Sequence, residues 1–489
     1  MTSIEEIREA RLNKLELLKE AGINAYPANS NQEVTCAKAT EDYEFLSLKG
    51  ALSLVGRIMS LRAQGKIIFI NIDDGTGTFQ ALLKSGEPLE TDKFDLFLNT
   101  FDIGDFVEVR GTLFLTKSEQ KTVLVEEFKM LSKSLRPLPE KWHGLTDTEE
   151  RFRKRYLDLI SSPEVKARFV LRSRLVSEIR SMLDEAGYLE VETPALQAVY
   201  GGASAEPFVT HHNALDSDLY LRISDELYLK RLLAGGFPKV YEIARDFRNE
   251  GIDHTHNPEF TMLEFYEAYS NAELQRGFVE KMMKRLVERL FSTLSITWNE
   301  QMIDFAPKFE VITYFDVLKK YVGIENPRSA TINDLKDRAA QLGVPVSPTD
   351  SYYKIMDNMY KKAARPQLIQ PTFIIDYPEN YLPLAKKKEG EDGIVEAFQL
   401  VIGGTELVKA FSELNDPIDQ RARFVSQAEI MKAGDKEAQI LDEDFIEAME
   451  HGIPPAGGVG IGIDRLTMLL TNTDNIKEVI LFPTLKARG

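Results

Sequence analysis

Apolar residues recur at helical spacing near the start of the chain, where Ile4, Ile7, Leu12, Leu15 and Leu18 fall on one side of a helix over residues 4–20 that stops near Gly22. From about residue 50 the period shortens to two. Strands are expected over Leu52–Leu61, Lys66–Asp73, Thr78–Leu83, Phe106–Thr116 and Thr122–Lys133. A tight Gly75–Thr76–Gly77 turn joins the second to the third, and a helix-like stretch, Pro88–Leu98, precedes the fourth. Ser134–Gly144 reads as a linker, because Pro137 and Pro139 forbid helix and resist sheet pairing. Beyond it the pattern is α+β. A helix is expected over Pro163–Ala186 with Gly187 as its stop, then a strand Tyr188–Val191, helices near Asp225–Ala234 and Ala272–Leu294, and a return to strands closed by a helix.

Five strands with a helix between the third and fourth match an oligonucleotide-binding (OB) barrel, a fold that holds single-stranded bases by stacking and edge hydrogen bonds. Arg57, Phe69, Gln80 and Glu127 lie on or near its strands; a β module without a ligand is the competing reading. At 489 residues the chain has room for two or more domains, and 43% hydrophobic with 28% charged residues suits a sizeable core. The expected division is a helical extension over 1–49, the barrel over 50–133, a linker over 134–150 and a second domain over 151–489. Cys36 is the only cysteine, which excludes an internal disulfide and a thiolate zinc cluster. No apolar run approaches membrane-spanning length and the first residues are charged, so a cytoplasmic protein without a membrane partner is expected. A net charge of −17 argues against coating DNA. It leaves RNA open, since basic residues cluster in Arg151–Leu159 and Lys166–Arg174, where a solvated helix face competes as the explanation.

Candidate chemistry concentrates in three segments. Val240–Phe247 and Glu259–Ala268 read as strands joined by the polar loop Asn249–Pro258. Phe260, Met262, Glu264 and Tyr266 share a parity and hence a face, beside a loop carrying Arg248, Glu250 and His256. That mixture suits a lined pocket with a cation at its edge better than it suits a core or a surface. In Gly457–Leu470 the alternation of Gly458, Gly460 and Gly462 with Val459, Ile461 and Ile463 leaves one strand face bare, where a flat ring could approach, with Arg465 beside it. Close helix packing is the alternative. Phe398–Asp416 reads as a hairpin around Gly403–Gly404, with Lys409, Phe411 and Glu413 on one face and Glu406 just past the turn. Carboxylates near phosphate suit Mg²⁺, with surface ion pairing as the bland reading.

In these segments the chain resembles the class II aminoacyl-tRNA synthetases, and within them the bacterial-type lysyl enzymes. GYLEVETPALQ (Gly187–Gln197) looks like the end of the first class motif, which builds a homodimer interface; FRNEG…HNPEF (Phe247–Phe260) looks like the second and GIGIDR (Gly460–Arg465) like the third. HHNALD (His211–Asp216), ELYLKRL (Glu226–Leu232) and SELNDP (Ser412–Pro417) resemble the lysyl branch. The resemblance covers nearly the whole chain. It implies an antiparallel catalytic sheet with flanking helices, and a ligase that turns L-lysine and ATP into an adenylate and then charges tRNA(Lys). It implies Arg248 at the α-phosphate and the lysine carboxylate, and Phe260 and Arg465 around adenine, which makes Arg248 and Arg465 the catalytic pair. Glu250, His256 and Asn257 would hold the rest of ATP, and Glu406 both ATP and Mg²⁺. Gly202, Glu226, Glu264, Tyr266 and Glu413 would surround lysine. On the barrel, Phe69 would stack on an anticodon base, with Gln80 and Glu127 at base edges and Arg57 on the same surface.

Three positions depart from the family pattern. Gln399 stands where relatives commonly have a metal-binding Glu, Lys409 where they have Asn, and Glu206 where they often have Arg. Lys409 is expected to pair with Glu413 or Glu406 and partly to replace a metal. Three rival functions follow: a lysine ligase acting on protein, which would lack the barrel; a non-catalytic RNA-binding relative, which would have lost Arg248 and Arg465; and an aspartyl or asparaginyl enzyme, which needs a cation to meet the substrate side chain, toward which Lys409 leans while Glu264 and Glu413 lean the other way.

Overall fold

The computed structural model describes residues 3–139, 145–348, 350–432 and 440–488. Two compact units divide the chain, Met1–Leu145 and Thr146–Gly489. In the first, β1 (Leu52–Gln64), β2 (Ile67–Asp73), β3 (Thr78–Lys84), β4 (Phe106–Leu115) and β5 (Lys121–Ser132) close a barrel in the order β1-β2-β3-β5-β4. Alternation does the folding: Leu54, Ile58, Ile68, Ile70, Ile72, Ala81, Leu83, Val107, Val109, Val123 and Val125 all point inward and are essentially sealed from water. Each of these side chains except that of Ala81 contributes about 1.5–3 kcal/mol by burial.

Helix α1 (Ile4–Glu20) starts at a Ser3–Glu6 capping box and lays Leu15 and Leu18 into the same core as the barrel, together with Cys36, Ala39 and Tyr43. Arg11 ties α1 down, its guanidinium donating to the carbonyls of Ser134, Arg136 and Ile103 at 2.9–3.0 Å. Helix α2 (Thr91–Thr100) lies between β3 and β4 and buries Phe94 and Phe97. Residues 140–144 of the expected linker lie outside the described residues.

The second unit is built on eight strands: β6 (Leu189–Glu190), β7 (Lys239–Phe247), β8 (Glu259–Ala268), β9 (Glu310–Thr313), β10 (Thr372–Pro378), β11 (Ile394–Ile402), β12 (Thr405–Ser412) and β13 (Ala456–Gly462). They are ordered β9-β10-β11-β12-β13-β8-β7-β6. The sheet is antiparallel except at its edges, where β9 runs parallel to β10 and β6 parallel to β7. One face, with Leu263, Phe265, Phe398, Leu400, Val408, Ala410, Val459 and Ile461, packs under α3 (Pro163–Glu185) and α5 (Ala272–Phe291). The other carries the polar residues described below. Residues 314–367, for which the pattern yields no element, fold into short helices including Ile332–Gln341 and Tyr352–Met359 that pack beside this second face.

Candidate active site

The second face holds a cavity of about 330 Å³ floored by β8, β13 and β12. Register explains its shape. Gly458 lies opposite Tyr266 and Phe411, Gly460 opposite Glu264 and Lys409, and Gly462 opposite Met262, so the bare strand runs between two strands with large side chains. At Gly460 and Gly462 an added Cβ would touch nothing closer than 3.4 Å, which leaves these positions open to a ligand. At Gly458 it would collide with the Glu413 carboxylate and the Tyr266 ring, and at Gly457, on the opposite face, with Gln275 and the Asn271 backbone. Pocket and packing thus each claim part of the glycine run. Gly202 approaches from a separate loop at φ +86°, and a Cβ there would meet the Ser224 hydroxyl at 2.8 Å.

One end of the cavity is acidic. Glu264 accepts from the Ser224 hydroxyl at 2.8 Å and the Tyr266 hydroxyl at 2.9 Å. Burial, with the nearby charges of Asp246 and Glu226, pushes its carboxyl up to about 8. Glu226 opens helix α4 (Glu226–Ala234), and one turn later Lys230 donates to it at 2.7 Å and forms a close ion pair with Glu413. The Lys230 ammonium is buried and lies 5.5 Å from the Phe411 ring centroid. Burial opposes its charge, but the Glu226 and Glu413 carboxylates hold its pKa above the ordinary lysine value. Behind this cradle Asp225 and Asp246 are fully buried, with Arg222 at 3.2 Å and 3.6 Å. Burial raises both carboxyls, with the charges of Asp246, Glu264 and Glu242 adding to it at Asp225 and that of Glu242 at Asp246.

The other end is cationic. Arg248 follows β7, donates to the Ile223 carbonyl at 3.3 Å and lies 5.0 Å from the Phe260 ring centroid; its buried Nε has no hydrogen-bond partner. Arg465, in α6 (Ile463–Leu470), donates to His256 Nε2 at 3.1 Å, while His256 Nδ1 faces Asp253 at 3.0 Å, which suits the Nδ1–H tautomer. Asn257 is buried with its Oδ1 unpartnered, and Glu250 is exposed at the mouth. Unpartnered polar atoms on a concave wall are what a charged ligand would satisfy.

A β-bulge governs Glu406. Leu400 pairs with Val408 but Val401 with Glu406, so Leu407 is the extra residue and Glu406 reaches the same face as Lys409. Three residues of unbroken strand would have put them on opposite faces. The donor set can be tested against a magnesium ion. Gln399 Oε1 already accepts from Tyr377 at 2.8 Å and Tyr360 at 3.4 Å, and among the described residues no group of three or more His, Cys, Asp or Glu could hold a metal. Glu406 therefore suits an ion bound mainly by triphosphate oxygens and water, and the residues do not form a protein cage.

The cavity brings together Gly202, Glu226, Arg248, Glu250, His256, Asn257, Phe260, Glu264, Tyr266, Glu406 and Arg465. Glu413 is not among its lining residues: its buried carboxylate covers Gly458 beside the Tyr266 ring and is engaged by Lys230. The expected pairing of Lys409 with Glu413 or Glu406 is not formed. Lys230 already occupies Glu413, and Lys409 is exposed with no ion pair among the described residues. Lys230, Ser224, Asp225, Asp246 and Arg222 were not singled out by pattern. The available signal was Lys230 four residues after Glu226 on a helix, which places both on one side. On the barrel, Arg57, Phe69 and Gln80 share the outer face of β1–β3. Arg57 lies 4.2 Å from the Phe106 ring centroid, and the Gln80 carbonyl accepts from Thr122 at 2.8 Å. Glu127 is exposed on β5 opposite Arg110.

An antiparallel sheet with helices on one face and this pocket on the other, in a chain that also carries an OB barrel, defines a class of enzyme. Residues 147–486 match the family model described as tRNA synthetases class II (D, K and N), and residues 52–131 match that of the OB-fold nucleic acid binding domain. The chain belongs to the class II tRNA synthetases. Among curated relatives it is similar to the lysine–tRNA ligase of Pelotomaculum thermopropionicum, 46% identical over 99% of this chain and 96% of that one. It is likewise similar to the lysine–tRNA ligases of Moorella thermoacetica (46% identical, 99% and 98% covered) and Aquifex aeolicus (48% identical, 92% and 75% covered).

Proposed function

We propose that the chain is an ATP-dependent lysine–tRNA ligase, joining L-lysine to the 3′ end of tRNA(Lys) through a lysyl-adenylate. The observation that carries this reading is the acidic end of the cavity, where two carboxylates already hold the chain's own Lys230 ammonium beside an aromatic ring. Glu264, Tyr266 and the outer side of Glu226 then meet the substrate's ammonium groups, with Gly202 closing from its loop and Glu413, through Lys230, fixing the charge of the floor. An uncharged competitor would leave those carboxylates unpaired. The lysine carboxylate attacks the α-phosphorus and pyrophosphate leaves with the bonding electrons; no proton need move. Arg248 offers a fixed fork to the developing negative charge, and adenine lies over the Gly460–Gly462 floor between Phe260 and Arg465. Glu250, His256 and Asn257 border the rest of the nucleotide. Mg²⁺ arriving on ATP, with Glu406 as a protein contact, would shield the triphosphate. A terminal hydroxyl of tRNA then attacks the carbonyl, the acyl–phosphate C–O bond breaks, and AMP leaves with the bonding electrons while the hydroxyl proton passes to its phosphate or to solvent.

The outer face of β1–β3, with Phe69, Gln80 and Arg57, suits anticodon bases, and exposed Glu127 on β5 suits a base edge. Exposed apolar side chains on and after α3, among them Val170, Leu189, Leu196 and Val209, fit a homodimer, expected to sediment at twice 55.4 kDa. Among the described residues no helix is long and apolar enough to cross a membrane, compatible with work in the cytoplasm. An aspartyl or asparaginyl reading fits worse, because the cation at the side-chain end, Lys230, is bracketed by two carboxylates.

The test is an amino-acid panel in ATP–pyrophosphate exchange followed by charging of tRNA. Lysine alone should support both; exchange without charging would favour the protein-lysylating rival. Lysine affinity should also depend on pH. Glu264, neutral below about 8 in the empty site, must ionise to pair with an ammonium, so binding releases a proton there. Affinity is expected to rise about tenfold per pH unit up to about pH 8 and then level off. Calorimetry on wild type and Glu264→Gln checks this. A flat wild-type profile between about pH 6 and 8 would remove Glu264 from the ammonium site.

A further inference from the structure

The strand pairing that floors the cavity stops short of its cationic end. β8 and β13 pair as far as Met262 and Gly462, and beyond that point Thr261 and Phe260 have no partner on β13. Gly462 also leaves α6 without a capping side chain. The two walls expected around adenine, Phe260 on β8 and Arg465 in α6, thus stand just past the point where the strands leading to them are joined. A triangle of polar contacts closes this corner from the helix-packed side of the sheet. The Thr261 amide, which would have continued the ladder, donates to Asp464 Oδ2 at 2.7 Å. Asp464 Oδ1 pairs with the guanidinium of Arg172, on α3, at 2.6 Å, and the second arm of that guanidinium donates to the Thr261 hydroxyl at 3.0 Å. Asp464 is buried in the first turn of α6, where the helix dipole favours a carboxylate. Phe260 precedes Thr261 and Arg465 follows Asp464, so each of these two corners carries one wall of the slot. Alternation turns Thr261 toward α3 and Phe260 toward the cavity.

We propose that Arg172 is a positioning residue for the nucleotide: reaching from α3 to Asp464 and Thr261, it fixes the separation of Phe260 and Arg465 and hence the width of the adenine slot. Stacking on both faces of a base requires a gap one ring thick, so a small shift of α6 against β8 forfeits contact on one side. A guanidinium suits the task because its two arms are held at a fixed spacing, which a flexible ammonium does not impose. Arg172 is absent from the lining of the cavity, so it acts through its two partners and not on the ligand. Its reach is also local. Glu264 and Tyr266 lie further along β8, where the ladder to β13 is complete, and their placement does not depend on the triangle. The effect of Arg172 therefore falls on the nucleotide and spares the amino acid. The inference rests on the placement of adenine between Phe260 and Arg465.

The experiment is calorimetry on the full chain with ATP, adenosine and L-lysine. Arg172→Met should weaken ATP by about tenfold to a hundredfold, as a slightly misplaced binding group does, and adenosine to the same degree. Lysine binding should be unchanged. Adenosine carries no phosphate, so its loss locates the effect at the base and its sugar. Arg172→Lys keeps the charge beside Asp464 without the fork and should lose less. Thr261→Val removes only the hydroxyl corner while keeping a β-branched side chain. It should shift adenosine in the same direction, and it decides the matter if Arg172→Met is too unstable to purify. A triangle that merely staples the fold would weaken lysine as much as ATP. That result, or unchanged adenosine binding, overturns the inference. Phe260→Ala separates the inference from the reading beneath it. If that variant binds adenosine as wild type does, the placement of adenine falls and the inference with it; if it binds more weakly while Arg172→Met and Thr261→Val do not, only the inference falls.

Discussion

Arg248→Ala is expected to lower lysine-dependent ATP–pyrophosphate exchange by about 10²–10³-fold while leaving thermal stability near wild type. The structure separates these effects. Arg248 makes one long hydrogen bond, to the Ile223 carbonyl at 3.3 Å, and its buried Nε has no partner, so the fold draws on the guanidinium chiefly as a charge near buried Asp246, a part that Arg222 also plays. Its neighbours are those of a ligand site: the Phe260 ring on one side, and the glycine floor and Arg465 across the cavity. A group that neutralises charge appearing on phosphate oxygens acts mainly in the transition state, so the loss should fall on kcat more than on KM. Arg248→Lys keeps the charge and loses the fork, and should recover only part of the rate. Exchange kinetics with thermal melts decide it. A variant within threefold of wild type at saturating substrates would take Arg248 out of the chemistry.

Legibility in the sequence was uneven for physical reasons. In Glu259–Ala268 successive side chains go in turn to the helix-packed face and the cavity face, so period two indicated its extent and its facing residues. The glycine run was readable for the same reason. Barrel strands were placed to within a few residues, β1 running on to Gln64 because its ladder with β2 continues past the last apolar residue. The helices of residues 314–367 were missed, being short, and two of their turns wind as π-helix, where apolar spacing drifts from the helical period. Of the two parallel edge strands, β6 falls within the expected Tyr188–Val191 and β9 has no counterpart in the pattern; the direction of either leaves no trace in alternation. At the site, a bulge brings Glu406 round to the cavity face, and a bulge is a property of pairing that a single strand does not encode. Lys230 was hidden differently. A lysine on a helix is normally solvated, and only the fold shows that β12 closes over it with Glu413.

That burial makes Lys230→Met the most destabilising single change expected in the second unit. The methionine fills similar volume but removes the ammonium between Glu226 and Glu413, and breaking a buried ion pair from one side costs about 3–5 kcal/mol. The sign of the pH dependence follows from Glu413. Burial already raises its folded pKa well above the ordinary value of 4.5, and loss of the neighbouring cation raises it further. A carboxyl whose folded pKa exceeds its unfolded one is protonated on folding. It therefore destabilises the fold once the pH passes the unfolded value, increasingly so up to the folded one. The deficit of Lys230→Met should thus be largest at about pH 8 and shrink as the pH falls toward about 4.5, measured as urea midpoints against wild type. Adding Glu413→Gln replaces the stranded charge with a neutral amide and should recover most of the loss at pH 8, where Glu413→Gln alone should not improve on wild type. A deficit independent of pH, or one untouched by the second substitution, would trace the loss to packing and leave the ammonium cradle without an energetic role.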